Sequence, residues 1–214
     1  LAAMAGSRKP PAFHGGTLRG DLFLTGLIVR PDPAGRLLFT GYRWDQAVVD
    51  SAFLDFAAQN RRIDVKNGWA DAGSGRLSFH GAAELSDLAW IVWSAWRDSL
   101  PIAWEKTVLD SVLVEGEGVD IPRWTAWNPK PPPVGGRGSG RVLLSGPVGA
   151  PVFTFNTRFQ DLTWESHRAD TLDLAGHYTP DHLVIDRLAA SRAPSRMRVS
   201  GEAPVRLSLW PPKS

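Results

Sequence analysis

The sequence predicts a mainly β protein, a largely antiparallel sheet of repeated strands with one or two short helices. A seven-residue phrase with an apolar residue at every second position recurs along the chain and commonly ends in Gly. Its copies are GDLFLTG at 20–26, GRLLFTG at 35–41, GRLSFHG at 75–81, GRVLLSG at 140–146 and SRMRVSG at 195–201. Alternation with a period of two is typical of a strand with one buried face.

The phrase assigns its side chains to opposite faces of the sheet. Val142 and Leu144 are expected on one face, and Arg141, Leu143 and Ser145 on the other. Two weaker copies, DSVLVEG at 110–116 and DTLDLAG at 170–176, follow the same rule. The terminal Gly adopts positive φ at little cost, so it is suited to end a strand or to form a bulge.

Two copies agree over a longer stretch and predict an internal repeat. Gly20, Gly26 and Pro31 have the same spacing as Gly140, Gly146 and Pro151, displaced by 120 residues (140 − 20). The second half then continues as a meander. VFTFNTRF at 152–159 alternates, and the turn GHYTPD separates two further strands. Val199 is expected to precede a turn, GEAP, and a closing strand with Val205, Leu207 and Leu209.

One stretch has helical spacing. ELSDLAWIVWSAWRDSLP predicts a short Trp-rich helix near 85–98, begun by Ser86 and stopped by Pro101. VVDSAFLDFAAQNRR stays open between helix and strand, because Phe53, Phe56 and Ala57 suit one helical face while Val48 and Val49 favour a strand.

Composition divides the chain into blocks. We expect a poorly ordered N-terminal segment at 1–15, a first β block at 16–127, a Pro/Gly linker at 128–139, and a second β block at 140–214 continuous with the same sheet.

Charge and cysteine content exclude several functions. Lys and Arg (24) nearly balance Asp and Glu (22), so the net charge gives no electrostatic field strong enough to indicate a nucleic-acid partner. The absence of Cys excludes disulfides and thiolate chemistry. No apolar run approaches the roughly 18 residues of a membrane-spanning helix. The chain begins without Met and ends in a polar tail, and we interpret it as an interior or truncated segment whose targeting signal and anchor lie elsewhere.

Catalytic and metal motifs are weak. GGRGSG at 135–140 follows PPP and lacks the Lys-Ser/Thr ending of a phosphate loop. His177, Asp181 and His182 flank a predicted turn, and Asp161, Glu165, Asp170 and Asp173 are better explained as a solvated face. We therefore predict a non-enzymatic protein without a cofactor or metal.

The chain resembles the AsmA-like and TamB-like proteins of Gram-negative bacteria. The resemblance rests on GSGRVLLSGPVGAP, LDLAGHYTPDHLVIDRLAA and VSGEAPVRLSL, is strongest over 138–209, and extends to 16–81. It implies an elongated, curved or folded-over (taco-like) β sheet with a hydrophobic groove, in a periplasmic protein anchored in the inner membrane. It further implies a role in outer-membrane biogenesis, through phospholipid transport between the membranes, assembly of outer-membrane proteins, or both. The implied partners are phospholipid acyl chains and outer-membrane assembly proteins.

Under this resemblance the apolar face of the strands lines the groove. The expected lining residues are Leu22, Leu24, Leu37, Phe39, Leu77, Phe79, Val112, Val114, Val142, Leu144, Phe153, Phe155, Leu172, Leu174, Val199 and Leu207. A closed core is the alternative for each of them. A different class of protein, a β sandwich or solenoid that binds carbohydrate through exposed Trp, is the alternative for the whole chain.

Ten Trp residues are unusual for this length. Trp90, Trp93 and Trp96 recur at three-residue spacing, which suits an interfacial helix at a membrane, sugar stacking, or a plug for one end of the sheet. The plug is favoured because Arg97 is the only basic residue close by.

Overall fold

The described part of the chain folds into one antiparallel sheet of eleven strands. A computed structural model describes residues 15–27, 30–44, 47–85, 107–126 and 132–206. The strands are β1 (Thr17–Leu27), β2 (Arg30–Trp44), β3 (Ala47–Gln59), β4 (Arg62–Ala72), β5 (Gly75–Glu84), β6 (Val108–Asp120), β7 (Val134–Pro147), β8 (Val152–Trp164), β9 (His167–Thr179), β10 (His182–Arg192) and β11 (Ser195–Ala203). Each strand pairs with the next, so spatial order equals sequence order. The predicted fold class is confirmed.

One short helix, α1 (Ile121–Thr125), lies between β6 and β7. Asp120 caps it by accepting a hydrogen bond from the backbone N of Arg123 at 3.1 Å, and Pro122 stands in the first turn, where its missing N–H costs nothing. Arg123 then reaches β3, where its guanidinium lies 2.9 Å from a carboxylate oxygen of Asp50. Among the described residues, no helix has the length and apolarity needed to cross a bilayer.

The internal repeat predicted from three matching residues extends to whole strands. Displacement by 120 residues places β3 on β9 and β4 on β10 with identical bounds, and β5 on β11 with a difference of one residue at the end. The register shift between Val65 and Gly68 recurs between Ile185 and Leu188. Gly26 and Gly146 have φ of 85° and 84°, the left-handed conformation that favours glycine.

The segment that was open between helix and strand forms β3. The predicted linker at 128–139 is wrong from Val134 onward, where β7 begins. The predicted GEAP turn is wrong as well, since β11 continues to Ala203, and Val205 lies outside any strand. The Trp-rich helix, most of residues 1–15, Leu207 and Leu209 lie outside the described residues.

The described residues do not enclose a conventional core. Their buried apolar side chains are confined to Ala58, Ala72, Ala82, Leu85, Pro151 and Tyr178. They form a single sheet, so the pair of facing sheets required by a β sandwich is not present in this part of the chain. Stability must therefore come mainly from the strand ladder and from half-buried side chains on the sheet surface.

Candidate functional site

The central feature is an apolar face that crosses the whole sheet. Directly opposed residues of an antiparallel pair point to the same side, so the register identifies which side chains share a face. Three cross-strand rows can be followed from β1 to β11. The first row is Gly20, Leu37, Leu54, Gly68, Phe79, Val114, Val142, Phe155, Gly176, Ile185 and Gly201.

The two flanking rows have the same character. The second is Leu18, Phe39, Ala52, Ala70, Leu77, Gly116, Gly140, Thr157, Leu174, Leu188 and Val199. The third is Leu22, Gly35, Phe56, Val65, Gly81, Val112, Leu144, Phe153, Tyr178, Leu183 and Ala203, with Gly81 beside Val112 at the bulge of Ser111. No position in these rows carries a charged side chain. With about 4.8 Å between strands, ten spacings extend the apolar face over about 48 Å.

Exposure of this face changes from its edges to its middle. On the edge strands, Leu18, Leu22 and Leu24 of β1 are 59%, 56% and 63% exposed, and Met197 and Val199 of β11 are 53% and 47% exposed. The large apolar side chains of the same rows on β2 to β10 are half-buried or buried. Neighbouring side chains therefore shield each other in the middle, while a surface accessible to solvent remains along the face.

Glycines leave room for aromatic rings on this face. A Cβ on Gly138 would lie 3.1 Å from the ring of Phe159, and one on Gly176 would lie 2.8 Å from the ring of Phe155. Phe155 is also 6.0 Å, centroid to centroid, from Phe153, which stacks on Tyr178 at 4.9 Å. These contacts make a continuous aromatic surface over β8 and β9.

The opposite face is charged. Cross-strand ion pairs join Arg36 Nε to Asp55 Oδ2 at 3.1 Å and Arg76 Nε to Asp71 Oδ1 at 2.7 Å. A third joins Arg158 Nε to Asp173 Oδ1 at 2.7 Å. The sheet is therefore amphipathic, with ordered charges on one side and uncharged rows on the other.

Two of these ion pairs shift the pKa of the carboxyl group. Arg76 donates two hydrogen bonds to Asp71, and Arg158 donates two to Asp173. In each case the hydrogen bonds from the guanidinium hold the pKa of the carboxyl below its ordinary value, against a smaller opposing effect of burial. These carboxylates belong to the strand ladder and are ionised at neutral pH.

Fifteen of the sixteen predicted lining residues lie on the apolar face. The sixteenth, Leu207, lies outside the described residues, as do Trp90, Trp93 and Trp96. Leu37, Phe79, Val114, Val142 and Phe155 fall in the first row. Whether these residues contact a ligand stays a prediction. Their common face follows from period two alone.

Sequence reasoning missed an aromatic group on the charged face. Phe53 stacks on Trp69 with a centroid distance of 6.1 Å, and the guanidinium of Arg76 lies 4.5 Å from the centre of the Trp69 ring. Phe53 lies in the segment that fits either a helix or a strand, and Trp69 is isolated in sequence, so only the register of β3 with β4 reveals the pair.

The candidate catalytic and metal residues remain dispersed. Asp173 is bound to Arg158, whereas Asp170 accepts a hydrogen bond from the backbone N of Ala193 at 3.1 Å. His177 Nδ1 lies 3.7 Å from Asp186 Oδ2. Within the described ranges, no three His, Asp or Glu side chains are grouped so that they could hold a metal ion.

The fold and this face together define an open antiparallel sheet with one uncharged surface. No family model, curated protein or solved structure matches the chain.

Proposed function

We propose that the uncharged face is a non-enzymatic binding surface for the acyl chains of phospholipids. The observation that carries the proposal is the continuity of three uncharged rows across all eleven strands. A closed core would need a covering layer, and the described residues supply no second sheet. An acyl chain would gain about 0.8 kcal/mol per methylene removed from water.

The chemistry of the face favours a lipid over a compact ligand. Its polar groups are few, chiefly the hydroxyls of Thr157 and Tyr178, and the Tyr178 hydroxyl already donates to the carbonyl of Pro180 at 3.2 Å. A small polar ligand would find few fixed hydrogen-bond partners there. An extended hydrocarbon needs none, and its length can follow the rows.

The resemblance to AsmA-like and TamB-like proteins gives this surface a biological setting. We propose that the chain is a periplasmic segment of a cell-envelope protein that is anchored in the inner membrane outside this segment. Its surface would carry phospholipid between the inner and outer membranes, support the assembly of outer-membrane proteins, or do both. The repeated strands support this setting because every added strand lengthens the face.

Site-specific photocrosslinking tests the proposal. A photoreactive residue is placed at Leu144 or Phe155 on the uncharged face, and at Arg141 on the charged face as the matched control. Protein purified from a Gram-negative host is irradiated and analysed by mass spectrometry. We expect phospholipid adducts at Leu144 and Phe155 and at most background at Arg141.

Native mass spectrometry of the unmodified chain separates this function from carbohydrate binding. Co-purified phospholipid agrees with the acyl-chain surface. A lipid-free protein whose Trp fluorescence changes on titration with glycans would contradict it and favour the carbohydrate-binding class. Adducts confined to Arg141 would also reject the proposed surface.

A further inference from the structure

β11 is the last strand of the sheet in the described part of the chain. β11 pairs with β10 on one side, and it has no second strand neighbour among the described residues. All of its residues from Ser195 to Glu202 are exposed. Within the described ranges, no strand pairs with the backbone groups on that edge, so the edge is a template for an additional strand.

The internal repeat indicates what an added strand would look like. Displacement by 120 residues carries β5 onto β11, and β5 is paired on the corresponding edge by β6. In that pairing Arg76 faces Glu117, and Ser78 faces Glu115. The edge of β11 is therefore the counterpart of an edge that accepts an antiparallel, acidic strand elsewhere in the same molecule.

The charges on β11 make this edge more basic than its counterpart. Arg196 and Arg198 occupy the positions that Arg76 and Ser78 occupy on β5. On β5, Asp71 of the preceding strand binds Arg76, but the equivalent residue opposite Arg196 is Ser191. Arg198 faces Ala189, and neither arginine forms an ion pair within the described residues. Two uncompensated positive charges thus stand along the open edge.

The other open edge does not offer the same charges. β1 is the counterpart of β7, whose Arg141 faces Glu115 of β6. Asp21 occupies the equivalent position on β1. An acidic strand like β6 would meet a like charge at Asp21 and an opposite charge at Arg19, so pairing there is less favourable than along Arg196 and Arg198.

We propose that the outer edge of β11 is a docking site for an acidic, extended segment of a partner polypeptide, added as an antiparallel strand. Its carboxylates face Arg196 and Arg198 on the charged face of the sheet. Its alternate residues are small or apolar and extend the uncharged rows beyond Val199. The inference does not require the uncharged face to bind lipid.

A peptide with the sequence of residues 108–120, VLDSVLVEGEGVD, is the probe. Its binding to the whole chain is followed by fluorescence anisotropy at low and high salt. We expect saturable binding that salt weakens, because the contacts are exposed charges. The double variant R196E/R198E should bind at least about tenfold more weakly, a change of about 1.4 kcal/mol.

Matched controls separate the site from net charge. R43E/R168E makes the same charge change at exposed arginines of β2 and β9, neither of which pairs with β11, and should bind as the wild type does. A peptide with E115R/E117R should bind R196E/R198E in preference to the wild type. Equal weakening by both chain variants, or no recovery with the exchanged charges, would overturn the proposal.

Crosslinking locates the edge, because the chain contains no cysteine of its own. The pairing predicts that V199C in the chain forms a disulfide with V114C in the peptide, since Phe79, the counterpart of Val199, faces Val114. L22C is the control on β1. Leu22 is the repeat counterpart of Val142, which faces Val114 in the sheet. Equal crosslinking at both edges would overturn the site, as would self-crosslinking of V199C chains without peptide, which would assign the edge to a second copy.

Discussion

The carboxylate of Asp50 on β3 binds the guanidinium of Arg123 in α1, with its two oxygens 2.9 and 3.0 Å from Nη2, although 73 residues separate them. The same carboxylate accepts the backbone N–H of Gly73 in the turn between β4 and β5. Asp50 therefore ties three segments together at one end of the sheet. Its repeat counterpart, Asp170, accepts the backbone N–H of Ala193 and binds no arginine among the described residues.

Replacement of Asp50 tests the link to the helix. We expect D50A to lower the free energy of unfolding by about 1 kcal/mol more than D170A does, because D50A also removes charge-assisted hydrogen bonds to a half-exposed arginine. Urea unfolding measures both variants. Hydrogen exchange should accelerate at residues 121–126 in D50A alone, and equal effects of the two variants would contradict the role assigned to Arg123.

Glycine positions on the first row should differ sharply in tolerance. Gly68 lies beneath the ring of Phe79, whereas a Cβ on Gly201 would have no atom within 4 Å. G68A should therefore cost about 1–3 kcal/mol through overpacking. G201A should be neutral or slightly stabilising, because it restricts the unfolded chain. Urea unfolding of both variants checks this, and a similar loss in each would rule out the ring contact as the cause.

A charge on the uncharged face should interrupt lipid retention. V142K places an ammonium in the first row, while L143K places the same group on the opposite face of the same strand. Desolvation of the ammonium disfavours acyl binding, and we expect bound phospholipid to fall about tenfold in V142K only. Quantitative lipid extraction measures both variants, and circular dichroism verifies their fold. Comparable retention in both variants would count against the binding face.

The ion pairs on the charged face predict an acid dependence of stability. The folded-state pKa values of Asp71 and Asp173 are lowered by their arginine partners, so their contribution is fully present above the unfolded pKa and is lost as the pH falls through the folded pKa. Carboxyl NMR titration should show the pKa of Asp173 rising in R158Q. An unchanged value in R158Q would mean that the bond to Arg158 is not its cause.

The strands and their two faces could be predicted from period-two alternation, which correctly separated Val142 from Leu143. Residues 48–59 could not be assigned, since the spacing of Phe53 and Phe56 fits a helix locally, and only pairing with β2 and β4 decides for a strand. The glycines before Val142 suggested a linker. Gly138 lies instead under Phe159, a close approach that a single sequence cannot reveal.

Long-range polar contacts were equally hidden from local patterns. Nothing near Asp50 indicates an arginine in a helix beyond β6. Likewise, the missing acidic partners of Arg196 and Arg198 are noticed only when β11 is compared with β5 and its acidic neighbour, β6. These features depend on which strands become adjacent, and the sequence pattern specifies strands more directly than it specifies their partners.

The strictly sequential order of the strands also determines how the protein can assemble. In the described ranges, every strand pair joins consecutive strands, so most of the loops between paired strands are short and the entropy lost on closing them is low. Folding can begin at any hairpin and spread in both directions, as in repeat proteins. A growing chain could therefore add one strand at a time as it emerges, without waiting for a distant partner.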